Sequence, residues 1–161
     1  MPILREQITT SLPIDDVFAF VADFSNSMLW DPGVANSERI TEGPTGLGSR
    51  YRLGVRMRGN VVPMDYEITT FEAPRLVVLT GEGSSVHAVD EIRFETTPGG
   101  TRIDYVADIR LRGLLRFAEP LLGGAFAKIG RDALHGMQRA LDERAMAAGR
   151  TATSSPASGD R

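Results

Sequence analysis

The stretch SLPIDDVFAFVADFSNSMLWDPGV, Ser11 to Val34, decides how the rest of the 161-residue chain is read. Pro13 suits the first turn of a helix, because the N–H it lacks would have no partner there. Asp15 and Asp16 follow, where the positive end of the helix dipole favours carboxylates. Val17, Phe20, Val21 and Phe24 then recur at i, i+3, i+4 and i+7, which makes one apolar stripe. The pattern predicts a helix from about Pro13 to Ala22 and one more short helical turn over SNSML, Ser25 to Leu29. Asp31 precedes Pro32 and is pushed out of the helical region. The chain must therefore turn at Asp31-Pro32-Gly33. Trp30, the only tryptophan of the chain, stands in that turn beside Met28 and Leu29.

On either side of this stretch the period is two. ILREQITTS, Ile3 to Ser11, is extended in flavour, with Thr9 and Thr10 favouring a strand. In SRYRLGVRMRG, Tyr51, Leu53, Val55 and Met57 alternate with Arg50, Arg52, Arg56 and Arg58, so the apolar set faces in and a basic row faces out. In VVPMDYEIT, Val62, Met64, Tyr66 and Ile68 share a face, with Asp65 and Glu67 on the other. RLVVLTG is a short apolar strand between turn signals. In VHAVDEIRFET, Asp90 shares a face with Val86, Ala88, Ile92 and Phe94. TPGG is a hairpin signal. TRIDYVADIRLRG then places Ile103, Tyr105, Ala107, Ile109 and Leu111 inward. Strands in hairpin order make an antiparallel meander with one wet face.

After Gly113 the helical period returns. Leu122, Phe126, Ile129, Ala133, Met137, Ala140 and Leu141 share one side of a helix expected from about Pro120 to Ala148. TATSSPASGDR is small and polar, with the composition of a disordered tail. The expected organisation is one domain over residues 1–148 and a tail over 149–161.

Composition narrows the function classes. The chain is 42% hydrophobic and 24% charged, as in an ordinary globular domain. A net charge of −3 speaks against a nucleic-acid partner. With no cysteine, disulfides, thiolate metal sites and cysteine nucleophiles are excluded. The most apolar window, LLRFAEPLLGGAFAKIG, carries Arg116, Glu119, Lys128 and Pro120, and falls short of the roughly 20 apolar residues of a membrane span. MPILREQITT carries no signal-peptide pattern, so cytoplasmic residence without membrane insertion is expected. His87 and His135 sit in no metal-ligand pattern, so neither a metal nor another cofactor is expected. Oligomeric state is not readable.

The proline-opened helix with its Val-Phe-Phe stripe and following Trp30 and Pro32, the Gly46-Leu47-Gly48 turn in GPTGLGSRYRL, and the terminal amphipathic helix together resemble the START-like or Bet v 1-like superfamily. Within it the chain is similar to the bacterial polyketide cyclase/dehydrase and lipid-transport group. The resemblance implies an α+β helix-grip fold: a curved antiparallel sheet of seven strands wrapped around the long C-terminal helix, with two short helices after strand 1 and a cavity between sheet and helix. It implies a hydrophobic small-molecule ligand. It places the short helices at the cavity rim, where Trp30, Met28 and Leu29 either close an apolar mouth or plug the end of the core.

On this frame the residues expected to touch ligand are Trp30, Tyr51, Leu53, Val55, Met64, Tyr66, Asp90, Ile92, Tyr105, Ile109, Phe126, Ile129 and Ala133. Asp90 is the sharpest candidate for chemistry. A carboxyl among apolar neighbours must be paired, protonated or facing a wet cavity, and desolvation raises its pKa into the range of a general acid or base. Tyr66 is the tyrosine assigned as its catalytic companion. Asp90 is the only inward carboxylate expected, and no exposed apolar patch is singled out. The functional classes that remain are a carrier of a lipid- or polyketide-like molecule, a cyclase, aromatase or dehydratase, and a protein-interaction or regulatory module. The glycines of the last helix, Gly123, Gly124, Gly130 and Gly136, leave cavity volume, permit a kink near Gly123-Gly124, or allow close packing against the sheet.

Overall fold

The computed structural model describes residues 3–153. Its elements run β1 (Ile3–Thr10), α1 (Ile14–Ala22), a 3-10 turn (Phe24–Asn26), α2 (Ser27–Trp30), β2 (Val34–Arg39), β3 (Arg50–Met57), β4 (Asn60–Glu72), β5 (Leu76–Glu82), β6 (Val86–Thr97), β7 (Gly100–Leu111), a second 3-10 turn (Gly113–Ala118) and α3 (Glu119–Thr153). All strand pairs are antiparallel, in the order β1-β7-β6-β5-β4-β3-β2. The chain therefore runs as a meander from β2 to β7, and β1 closes the far edge. Register shifts between Val34 and Asn36 and between Ile68 and Thr70 supply the irregularities that bend such a sheet. This is the helix-grip fold.

The core lies between the concave face and the helices. α1 buries Val17, Phe20 and Val21 as its stripe requires, and Phe18 as well. Phe18 meets Phe71 and Phe94 edge to face, with ring centroids 5.3 and 5.1 Å apart, an arrangement that aligns ring edges with π faces. α3 buries Phe126, Ala133, Leu134, Met137 and Leu141. Gln138 Nε2 on α3 donates to the Thr9 carbonyl of β1 at 2.7 Å, and the Arg144 guanidinium lies 3.7 Å from the centroid of the Phe20 ring on α1. These contacts tie the helix to the sheet edge and to α1.

Two boundaries differ from the sequence pattern. α1 begins at Ile14, with Pro13 as its cap residue. α3 continues to Thr153, past the expected end at Ala148. Its final turns carry no buried stripe, but AMAAG is rich in good helix formers. The Thr151 and Thr153 hydroxyls donate to the carbonyls of Ala147 and Gly149 at 3.0 and 2.8 Å. The rest of the expected tail, residues 154–161, lies outside the described residues. The approach to α3 also exposes an apolar patch that the sequence pattern did not single out: Leu114, Phe117 and Leu121 are 86%, 68% and 87% exposed. Among the described residues no helix is long and apolar enough to cross a membrane.

Candidate functional site

Sheet and helix do not meet everywhere. An inner chamber of about 140 Å³ lies between the concave face, α2 and α3. An outer chamber of about 420 Å³ opens between the β3–β4 hairpin and the start of α3. Both are lined by Met57, Met64, Phe126 and Ile129. The inner chamber is smaller than the ~300–1,000 Å³ of ordinary ligand sites, and the outer one falls within that range.

The inner walls are largely apolar, with Leu53, Val55, Val86, Ala88, Ile109 and Ala133 among them. Every residue expected to touch ligand lines this chamber except Tyr51 and Ile92. Both of these are fully buried in the core. Tyr51 is packed near Phe24 at 6.4 Å, and its hydroxyl reaches toward Thr45 Oγ1 at 3.5 Å. Ile92 shares its face with Phe94, the part of β6 that α1 covers. The alternation put these two on the right face of the sheet, but packed protein separates them from the hollow.

Asp90 faces inward and is only 6% exposed. Its Oδ1 accepts the Tyr105 hydroxyl at 2.9 Å, while its Oδ2 is buried without a partner. Burial pushes the Asp90 pKa up to about 7; the Tyr105 hydrogen bond pulls against that rise and the charge of Asp31 adds to it. The tyrosine that touches Asp90 is thus Tyr105. Tyr66, assigned as its companion on the sequence, also lines the chamber. Its ring lies over Gly81, its neighbour across β4 and β5, where a Cβ would stand 2.5 Å from the ring. Burial and the nearby aspartates hold both phenols well above their ordinary pKa, so both are O–H donors at neutral pH.

Two further carboxyls reach the chamber, against the single one expected. Asp31 lines it because its Oδ1 accepts the Gly33 N–H at 2.7 Å, which folds the Asp-Pro-Gly turn back on itself. Burial raises the Asp31 pKa to about 6, opposed by the Gly33 bond and assisted by Asp132. Glu6 lines the chamber from β1; it stands opposite Tyr105 in the register, and so shares its face. Trp30 is 4% exposed and lines the chamber, edge-on to Phe24 and Tyr105. It is a buried wall rather than an exposed lid, and its Nε1 has no partner. Met28 and Leu29 point the other way, 47% and 59% exposed.

The remaining candidates lie elsewhere. His87 is on the outer face, its Nδ1 2.6 Å from Glu82 Oε1 and 3.2 Å from Arg112 Nη2. His135 is exposed on α3. Of the basic row, Arg52 pairs with Asp65 at 2.9 Å and Arg56 borders both chambers. Among the described residues no group of three or more His, Asp or Glu side chains is placed to hold a metal ion.

The family described as polyketide cyclase/dehydrase and lipid transport matches residues 1–142. The chain belongs to this family. No curated protein is significantly similar to it in sequence. Solved structures resembling this polyketide cyclase/dehydrase family member include the Zhui aromatase/cyclase from Streptomyces sp. R1128, at 20% identity and a TM-score of 0.76, with 91% of this chain and 97% of that one covered. TTHA0849 from Thermus thermophilus aligns at 18% identity and a TM-score of 0.71, covering 91% and 99%. A START superfamily protein from Mycobacterium smegmatis aligns at 15% and 0.68, covering 88% and 95%. At these identities the likeness establishes the fold.

Asp31 and Glu6 are the chamber-lining acidic residues that the family member's sequence pattern does not single out. Asp31 had a signal: an aspartate before Pro-Gly commonly bends back to bond its own turn, and this turn adjoins the lone tryptophan. Glu6 had none beyond the parity of a short edge strand.

Proposed function

We propose that this protein binds a hydrophobic small molecule of lipid or polyketide type, with the molecule's polar end at Asp90 and its apolar body toward the outer chamber. One observation carries the reading: a carboxyl 6% exposed, with one oxygen unpartnered, lines a largely apolar hollow. A buried unsatisfied carboxyl oxygen costs on the order of 1–3 kcal/mol or more, and a ligand donor at Asp90 Oδ2 removes that cost. The test uses the neutral fluorophore N-phenyl-1-naphthylamine with the full-length protein. Its emission is expected to rise on binding, and Ala133→Phe, which fills the inner chamber, should weaken binding at least tenfold. No rise with the wild-type protein, together with no co-purified small molecule in native mass spectra of protein from its own host, would falsify the reading.

A second reading is favoured by the Tyr105–Asp90 hydrogen bond. An enzyme of the cyclase, aromatase or dehydratase kind needs a proton moved to or from the carbon beside a carbonyl. A carboxyl with a pKa of about 7 is matched to that work at neutral pH, Tyr105 holds it in place through its one O–H, and the Tyr66 phenol in the same lining can donate to the carbonyl oxygen. The wild-type protein is then expected to exchange the α-protons of a bicyclic ketone such as 2-tetralone for solvent deuterium at least 100-fold faster than Asp90→Asn. Equal rates in the two proteins remove Asp90 from catalysis and leave the binding reading standing.

A further inference from the structure

The charge inside the hollow is one-sided. Glu6, Asp31 and Asp90 all line the inner chamber, and Arg56 is the one cationic residue among those lining it. Arg56 is exposed and also borders the outer chamber. Among the described residues none of the three carboxyls forms an ion pair with it or with any other cation. Buried carboxylates in proteins are ordinarily matched by a cation or a metal. The same chamber is lined by aromatic side chains: Trp30, Tyr66 and Tyr105 stand with Asp90 in its wall. Asp90 Oδ2 is a buried acceptor that the protein itself does not satisfy; the Trp30 indole N–H, also buried and unpartnered, is a donor and takes an acceptor on the ligand or a water rather than an ammonium.

Resting on the ligand-binding reading above, we propose that the inner chamber takes the ammonium end of an amphiphilic amine. Asp90, with Asp31 and Glu6 in the same lining, supplies the countercharge, the aromatic rings of Trp30 and Tyr105 stand around the cation, and the outer chamber houses the hydrocarbon. An ammonium donates a charge-assisted hydrogen bond to Asp90 Oδ2, which is roughly twice as strong as a neutral one. It also gains from the aromatic quadrupoles in a site shielded from water. A neutral hydroxyl makes the hydrogen bond but leaves the carboxyl charges uncompensated. A carboxylate headgroup is repelled by three like charges.

Trp30, as the only tryptophan, reports on its own site. The full-length protein is titrated at pH 8 with decylamine, decanol and decanoate, each below its micelle concentration, while Trp30 emission is followed. Decylamine is expected to bind at least tenfold more tightly than decanol, and decanoate more weakly than either. In Asp90→Asn, whose fold is checked by near-UV circular dichroism, the amine-to-alcohol ratio of affinities should fall to within threefold of one. Decanol binding as tightly as decylamine, decanoate binding best, or a ratio unchanged in Asp90→Asn each overturns the proposal while leaving a hydrophobic ligand in place. Failure of all three amphiphiles to bind a protein that still binds N-phenyl-1-naphthylamine overturns the proposal alone; failure of the naphthylamine as well, with no co-purified small molecule, overturns the ligand-binding reading along with it.

Discussion

Gly136→Ala is expected to destabilise the protein by about 1–2 kcal/mol net in urea denaturation, although alanine is the better helix former by ~1 kcal/mol. A Cβ at Gly136 would stand 1.9 Å from the carbonyl oxygen of Trp30 and 3.4 Å from Pro32 Cδ. The oxygen belongs to the backbone of the turn that carries Asp31, so no side-chain rotation relieves the overlap. Either α3 lifts from the sheet or the Trp30–Gly33 turn moves outward, and overpacking of this kind costs ~1–3 kcal/mol and occasionally more. The helix supplies its own controls. At Gly123 and Gly124 an added Cβ meets nothing within 4 Å, so alanine there should gain about 0.5–1 kcal/mol at each position. If Gly136→Ala proves as stable as those two variants, the close seat of α3 on the turn is wrong, and with it the placement of Trp30 and Asp31 in the inner wall.

This contrast shows where sequence reading stops. Helical period placed Phe126, Ala133, Met137 and Leu141 on the buried side of α3 without reference to any partner. Whether a glycine on that helix makes room for a backbone or faces open space depends on what lies across from it, and period carries no such information. The strands behave alike. Alternation identified the concave face, including Asp90 and Tyr105, because the pleat has a fixed period. It could not separate Leu53, which borders the hollow, from Tyr51, which is packed near Phe24; curvature and the seating of the helices decide that. Asp31 was read for its backbone, as the residue that ends a helix before proline. The direction of its side chain came from a hydrogen bond two residues along, a local geometry to which a periodic pattern is blind. Tyr105 displaced Tyr66 as the partner of Asp90 for a related reason: both phenols face inward, and only the three-dimensional reach of each selects the one that donates.

Asp90→Asn is expected to make the unliganded protein more stable at pH 8, by about 2–4 kcal/mol, or roughly 5–10 °C in Tm for a domain of this size. The folded-state pKa of Asp90 is raised from 3.8 to about 7, and each unit is worth ~1.4 kcal/mol. The folded state therefore holds a proton that the unfolded state has released. Stability from this group is fully present below about pH 4, declines as pH rises toward 7, and stays low above it. Asparagine resembles the protonated acid: its Oδ1 can still accept the Tyr105 hydroxyl, and its amide, like the acid O–H, is a donor in the same place. The two proteins should accordingly melt within about 2 °C of each other at pH 4 and separate as the pH is raised. Asp31, raised to about 6, has the same sign and leaves a smaller decline in the variant. Thermal melts across pH 4–8 decide the matter: a variant less stable than wild type at pH 8, or a gap that does not change with pH, means that Asp90 is not a desolvated carboxyl. A buried acid kept at such a cost runs against fold stability alone. Its energetic sense lies in what it meets inside the hollow, which is why the same substitution that tightens the fold is expected to abolish the amine preference of the site.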